Sequence, residues 1–306
     1  MWLNIQIFGF RALWSPYFFL FVLFLSLIYF LVTGPYRHKF TNAARVTRGQ
    51  QIYFYVGMML LYIIKGSPID LMSHIMLSAH MAQLAVFYLI FPILIIKGIP
   101  NWMWEKFIAL PVIKPVFKII TMPLVAMLLF NGLFSLFHMP AIFDFSKSSQ
   151  VAHTGISLVI LVTAFAMWWP VVVPIKRLDK LNPLLKIGYI FANGALITPA
   201  CALIIFAGDP LFKAYSSEGV WMQAMALCVP SDVLDGLAPT ISGAEMFSPL
   251  STVEDQQTGG IIMQTLIQII YGTMIGRVFF NWFSKRSLAI DPLPSEPGAS
   301  LSQQDF

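Results

Sequence analysis

Seven long apolar stretches run through this chain of 306 residues and restrict what it can fold into. A bilayer core of about 30 Å is crossed by about 20 apolar residues in an α-helix. Backbone N–H and C=O groups find no water in hydrocarbon, so such segments must be helical. Only 11% of the residues are charged, against roughly 25% in soluble domains. The sequence therefore predicts an all-α polytopic membrane protein with seven transmembrane helices. The predicted spans are 14–33, 50–65, 71–96, 119–139, 151–173, 187–207 and 259–282.

The basic residues predict how these spans are oriented. Fifteen of the 19 lysines and arginines fall on one side of the membrane, in segments 34–49, 97–118, 174–186 and from Arg277 onwards. The other side has four, Arg11, Lys65, Lys147 and Lys213. Because cytoplasmic loops of membrane proteins are enriched in Lys and Arg, we expect the N-terminus outside and the C-terminus in the cytoplasm. The net charge of +5 therefore reports topology, and we expect no nucleic-acid partner.

The segments between the spans complete the predicted organisation. Residues 1–285 form one transmembrane domain with a retained first span, and an acidic loop, 208–258, faces outward. The Pro- and Ser-rich residues 286–306 form a disordered cytoplasmic tail. The stretch 99–118, "IPNWMWEKFIALPVIKPVFK", is typical of an interfacial segment on the cytoplasmic side. Cys201 and Cys228 form no CxxC pair, although one disulfide between them stays open.

Four of the five histidines lie in the outer half of the predicted bundle. His74 and His80 are in the third span, His138 ends the fourth, and His153 begins the fifth. Ionisable groups are costly in hydrocarbon, and those found there are functional candidates. On one continuous helix, His80 would lie about 9 Å deeper than His74 and about 120° around the axis. A histidine at a span end is more often a hydrogen-bonding residue than a ligand, so the set matters more than any one member.

The side chains near these histidines suit a soft metal ion. Imidazole binds copper, zinc and iron, and thioether sulfur adds a preference for Cu(I). Met81 adjoins His80, and Asp255 begins the seventh span. The candidate metal ligands are His74, His80, Met81, His138, His153 and Asp255.

Two other classes of protein fit parts of this pattern. A seven-span zinc hydrolase would use three ligands and a general base, drawn from His74, His138, His153 and Asp255. A haem-binding electron-transfer protein would use His74 and His153 as paired axial ligands. No residue argues for a receptor or a transporter.

Five motifs occur in order at the predicted span ends: "SAHMAQL", "FPILIIKGIP", "FHMPAIFDF", "MWWPVV" and "EDQQTGGIIMQ". Over about residues 10–285 the chain resembles the CtaG family of bacterial cytochrome c oxidase assembly factors. The residues that match are His80, Met81, Gln83, His138, Pro140, Asp144, Asp255, Gln256, Gln257, Gly259 and Gly260. Many relatives carry a further histidine where this chain has Leu84, which shifts weight to His74 or His153.

The resemblance implies a non-enzymatic assembly factor in the bacterial plasma membrane. Its partners would be the oxidase subunits and the lipid bilayer, and its cargo a copper ion, Cu(I), held transiently at the outer side. A weaker form of this hypothesis keeps the assembly role without a metal, as a scaffold for the oxidase subunits.

Overall fold

The structure, a computed structural model, describes residues 5–237 and 243–290, and every regular element in them is helical. The α-helices are α1 (Gly9–Trp14), α2 (Pro16–Thr33), α3 (Arg48–Gly66), α4 (Pro68–Ile75), α5 (Leu77–Ala85), α6 (Phe91–Gly98), α7 (Asn101–Ala109), α8 (Ile113–Ile120), α9 (Pro123–Phe137), α10 (Pro140–Lys147), α11 (Gln150–Val172), α12 (Pro183–Ile205), α13 (Lys213–Ser216), α14 (Glu218–Met225), α15 (Ser231–Leu237) and α16 (Thr252–Ile290).

These helices confirm the predicted all-α polytopic membrane fold. Five are long and apolar enough to cross a membrane: Gln6–Thr33, Leu77–Gly98, Gln150–Val172, Pro183–Ile205 and Thr252–Ser284. Two bent pairs raise the number to seven if each is one span, α3 with α4 at 45° and α8 with α9 at 81°. The predicted seven spans equal this upper count, and their orientation stays a prediction.

The third predicted span, 71–96, is wrong at its start. Met76 has extended backbone (φ −129°, ψ 138°), and this residue separates α4 from α5. Helix α4 begins at Pro68 after the N-cap Ser67, so the chain turns before the membrane crossing that starts at Leu77. His74 and His80 therefore lie on different helices, and the spacing predicted for them on one helix does not apply.

Helix α16 packs closely against α5 and α12, because it presents two adjacent glycines to them. A Cβ on Gly259 would lie 3.1 Å from Ser78 Cα, and one on Gly260 would lie 2.7 Å from Ile205 Cγ1. Small residues are the usual means of bringing transmembrane helices this close. The three helices consequently form a close-packed centre on which the polar residues are placed.

The described part of the predicted outer loop folds over one end of the bundle. Tyr215 on α13 donates a hydrogen bond to the Ser73 carbonyl at 2.7 Å, and Trp221 on α14 donates to the Ile75 carbonyl at 3.4 Å. Trp221 also joins a second apolar core with Phe8 and Leu71. This loop therefore covers α4, the helix that carries His74.

The structure also describes the two cysteines, part of the predicted tail and the predicted interfacial stretch. Cys201 and Cys228 are free thiols, so they form no disulfide. The last helix reaches Ile290, and the rest of the predicted tail, 291–306, lies outside the described residues. The predicted interfacial stretch forms α7 and α8, and α8 lies across the direction of α9.

Candidate functional site

His74 and His153 come together where α4 meets the start of α11. Their ring centroids are 5.6 Å apart, with the planes at 65°. His74 Nδ1 is 2.9 Å from the Asp70 carbonyl oxygen, which makes Nδ1 the donor. His74 Nε2 and His153 Nδ1 have no hydrogen-bond partner among the described residues. This is one of the two pairs that sequence reasoning considered, and the only imidazole–imidazole ring contact in the described part of the chain.

His80 lies in an aromatic pocket. The Phe143 ring is 5.3 Å away at 88°, and the rings of Phe137 and Tyr215 are 6.3 and 6.4 Å away. His80 is buried, and neither ring nitrogen has a partner in residues 5–237 or 243–290. The pocket is therefore built to hold an imidazole without fixing its tautomer.

His138 ends α9 and is held apart from the other histidines by aromatic rings. Its Nδ1 lies 2.7 Å from the Phe134 carbonyl oxygen, and the Phe134 ring is 4.3 Å away. The Phe137 ring contacts both His138 and His80, at centroid distances of 5.3 and 6.3 Å. His138 therefore belongs to an aromatic wall rather than to the His74–His153 pair.

Asp255 and Met81 join α16 to α5. The Asp255 carboxylate accepts hydrogen bonds from Leu77 N at 2.7 Å, Ser78 N at 3.4 Å and the Ser78 hydroxyl. A carboxylate at a helix N-terminus satisfies amides that have no partner within the helix. Met81 is fully buried beside Gly259. Both residues thus hold the helix that carries His80.

Three polar residues outside the predicted ligand set support His74, and Gln83 is the one of them that also belongs to a family motif. Lys65 Nζ lies 3.3 Å from Asp70 Oδ1 and 3.2 Å from Gln83 Oε1. Gln83 Nε2 in turn donates to Asp70 Oδ1 at 2.8 Å. This closed network fixes Asp70, whose carbonyl binds His74. The signal was present in the sequence, because Gln83 is a polar residue within an apolar span.

Lys147 at the end of α10 is a fourth polar residue outside the predicted ligand set. Its side chain is 1% exposed, and Nζ has no hydrogen-bond partner in the described residues. The ammonium lies over the Phe143 and Tyr215 rings, 5.8 Å from each centroid. Burial, reinforced by the charge of Lys65, lowers the Lys147 pKa to about 7. A buried amine thus lies beside the same rings that surround His80.

The six predicted ligands do not converge on one point. His74 and His153 form a pair, His80 and His138 lie on either side of Phe137, and Asp255 is bound by α5. Among the described residues, no group of three or more His, Cys, Asp or Glu side chains is arranged to hold a metal ion. Metal binding by these residues stays a prediction. His74 and His153 are the two candidate ligands whose rings are in contact.

The family model described as "Cytochrome c oxidase caa3 assembly factor (Caa3_CtaG)" matches residues 27–285. The chain belongs to this family. Comparisons with curated proteins and with solved structures give no match. The Caa3_CtaG assignment confirms the resemblance, places the protein in the bacterial cell membrane as a multi-pass protein, and implies a caa3-type oxidase partner.

The "EDQQTGG" motif of this Caa3_CtaG chain forms a structural joint. Asp255 caps α5, and Gln256 Oε1 accepts from Leu211 N at 2.7 Å. Gln257 Nε2 donates to the Ala207 carbonyl at 3.0 Å, and the two glycines allow α5 and α12 to approach. In the "FHMPAIFDF" motif, Asp144 accepts from the amides of Lys213 and Ala214. The motifs therefore attach the covering loop to the bundle.

Replacing Lys147 with methionine is expected to remove a pH dependence of stability. The folded pKa of about 7 lies below the ordinary 10.5, so between these values the unfolded chain binds more protons. The burial cost of Lys147 is largest below pH 7 and falls as the pH rises, by at most about 1.4 kcal/mol per pH unit. Thermal unfolding in detergent from pH 6 to 9 should show this slope in wild type and its loss in Lys147→Met, with higher stability of the variant at pH 6.

The exposed Lys213 provides the control for this measurement. Lys213→Met removes the same charge at the same end of the bundle and should keep the wild-type slope. Parallel pH profiles for wild type and Lys147→Met would show that the buried amine does not carry the effect.

Proposed function

We propose that this assembly factor holds Cu(I) transiently between His74 and His153 as cargo for the oxidase. The observation that supports the proposal is the His74–His153 pair itself, with ring centroids 5.6 Å apart and, on each ring, a buried nitrogen that has no partner among the described residues. Neutral imidazole nitrogen is a good copper ligand. Two imidazole nitrogens can bind one Cu(I) ion without a third protein ligand.

The hydrogen bond to His74 supports this role. A metal-binding histidine commonly donates its other ring N–H to a carbonyl or carboxylate, which fixes the tautomer. Here the Asp70 carbonyl accepts from His74 Nδ1, so Nε2 keeps its lone pair. Lys65 and Gln83 hold Asp70 in place. The hydrogen bonds of Lys65, Gln83 and Asp70 thus hold His74 with Nε2 available to a metal ion.

The surroundings of the pair favour brief rather than permanent binding. Lys147 is an electrostatic neighbour of both His74 and His153. A positive charge nearby lowers the affinity for a cation in a medium of low dielectric constant. Two ligands beside a lysine would suit an ion that must leave again, as a delivery factor requires.

The other predicted ligands receive different roles. His80, whose two ring nitrogens have no partner among the described residues, is a third imidazole that could take the ion deeper into the bundle. His138 belongs to the aromatic wall beside it. Asp255 and Met81 act as positioning residues, since the Asp255 oxygens bind α5 and Met81 is enclosed at the α16 contact.

The test is the Cu(I) content and affinity of the full-length protein in detergent under reducing conditions. Wild type is expected to hold close to one Cu(I) per chain, with two nitrogen ligands in X-ray absorption. The double variant His74→Ala plus His153→Ala should lose the ion. His38→Ala, in an exposed loop, is the matched control and should retain it.

The possible results separate the proposal from its alternatives. Copper retained by the double variant would rule out the pair as the site. A wild type without copper, on which oxidase assembly in cells still depends, would indicate a scaffold for the oxidase subunits. Stoichiometric zinc would favour the hydrolase, and a Soret band would favour the haem protein.

A further inference from the structure

The end of the bundle opposite the histidines carries a basic cavity. Helix α9 ends at His138 and α11 begins near His153, whereas the cavity lies at the start of α9 and the end of α11. It has a volume of about 350 Å³ and is lined by Lys114 and Lys118 of α8, Lys180, and apolar side chains that include Trp169. Three lysines thus surround a space with an apolar floor.

A second cavity adjoins the first and is almost wholly apolar. It has a volume of about 490 Å³, and its lining includes Ile95, Phe107 and Val116. The two cavities share Phe117, Thr121 and Trp169 as lining residues. A basic compartment and an apolar compartment are therefore joined along one wall.

The shared wall is made of packed aromatic rings. The Trp169 ring packs edge-on against Phe117, at 4.9 Å and 85°, and against Trp104, at 5.0 Å and 71°. Trp104 Nε1 donates to the Ile96 carbonyl at 3.1 Å, which fixes its ring. A preformed wall lowers the entropic cost of binding a ligand against it.

The lysines lie where a lipid headgroup would be. Helix α8 is bent by 81° from α9, so it runs along the membrane surface if α9 crosses the membrane. Lys114 and Lys118 are four residues apart and share one face of α8. The count of basic residues predicts that this is the cytoplasmic face of the membrane.

None of the three lysines forms an ion pair with another described residue. The ion pairs in residues 5–237 and 243–290 are Lys65–Asp70 and Lys186–Asp179. Asp179, the acidic neighbour of Lys180, is bound by Lys186 at 2.7 Å. The positive charges of the basic cavity are therefore not neutralised by these described residues.

We propose that this double cavity binds one anionic phospholipid from the adjacent leaflet. Its phosphate would lie among Lys114, Lys118 and Lys180, and an acyl chain would fill the apolar cavity across Trp169. Basic pockets between transmembrane helices are suited to anionic headgroups. The joined apolar cavity is what selects a lipid over a free phosphate ion, and the three lysines select it over a zwitterionic lipid.

The test is lipid binding to the full-length protein in detergent, followed by native mass spectrometry. The probes are phosphatidylglycerol, phosphatidylcholine with the same chains, and inorganic phosphate. Phosphatidylglycerol should form a one-to-one adduct that survives inorganic phosphate. The triple variant Lys114→Gln, Lys118→Gln, Lys180→Gln should weaken it by about five-fold per charge, roughly 100-fold in all.

A matched triple variant controls for loss of charge on the same side. Lys39→Gln, Arg45→Gln and Arg48→Gln remove three exposed cations elsewhere and should leave the adduct unchanged. Val116→Trp should occupy part of the apolar cavity, so it should weaken the binding of phosphatidylglycerol, while the binding of short, water-soluble glycerol phosphate stays as in wild type.

Three results would overturn the proposal. They are equal binding of phosphatidylcholine, an adduct that the Lys114, Lys118 and Lys180 variant retains in full, and complete displacement by inorganic phosphate. Thermal unfolding of each variant checks that it is folded. If the triple variant is unfolded, the single change Lys180→Gln outside the helices must show the five-fold loss.

Discussion

Replacing Asp255 with alanine is expected to destabilise the protein more than any other single truncation near the histidines. The carboxylate is buried and accepts bonds from two backbone amides and one hydroxyl of α5. Hydrogen bonds to a charged acceptor contribute about 1.5–3 kcal/mol each. Because the donors of α5 would be left in an apolar interior, we expect a loss of about 3–5 kcal/mol in the free energy of unfolding.

Thermal unfolding in detergent measures this effect, and two variants calibrate it. Asp255→Asn keeps an oxygen acceptor and should fall between wild type and Asp255→Ala. Glu254→Ala removes the neighbouring carboxylate, which is exposed and bonds to Ser251 of its own helix start, so its effect should be small. If Asp255→Ala unfolded at the wild-type temperature, the joint between α16 and α5 could not be the support described above.

The bond from Asp255 also explains what the sequence could not predict about the third span. The break at Met76 contains no glycine or proline that would mark it. The group that caps the new helix lies 178 residues further along the chain. Local pattern gives no access to such a long-range partner, and so 71–96 was predicted as one helix.

Other features of the fold could be predicted, because a chain segment in hydrocarbon has few possible backbone structures other than a helix. The predicted fifth span, 151–173, corresponds to Gln150–Val172, since both ends coincide with a change from apolar to polar residues. The bend between α8 and α9 was less visible. Pro123 marks its position, but the angle of 81° depends on how α8 packs against Trp169.

The end of the bundle at which the site lies could be predicted, but the contacts between its residues could not. Burial cost placed the histidines at one end of the bundle, and the structure groups them there. Which of them meet depends on intervening rings, and Phe137 could not be foreseen as the wall between His80 and His138. Lys147 was missed because it follows a span end, where a lysine is expected to be solvated rather than 1% exposed.

Replacing Gly98 with alanine is expected to give the second large loss of stability, because it separates three helices at once. An added Cβ would lie 2.6 Å from Phe54 N and 2.7 Å from Phe54 Cα, and backbone atoms cannot move aside as a side chain can. The Phe54 ring stacks on Tyr29 at 3.7 Å, and the Tyr29 hydroxyl donates to the Gly98 carbonyl at 2.9 Å. The displacement would therefore disturb a hydrogen bond and a ring stack together.

We expect Gly98→Ala to cost about 3 kcal/mol, the upper part of the range for overpacking. Gly132→Ala on α9 is the matched control, since no atom lies within 4 Å of its added Cβ, and alanine favours a helix over glycine. Thermal unfolding should place Gly132→Ala at or above wild type and Gly98→Ala well below it. Equal stability of the two variants would mean that α6 and α3 can part without cost, which a joint tied by Tyr29 does not allow.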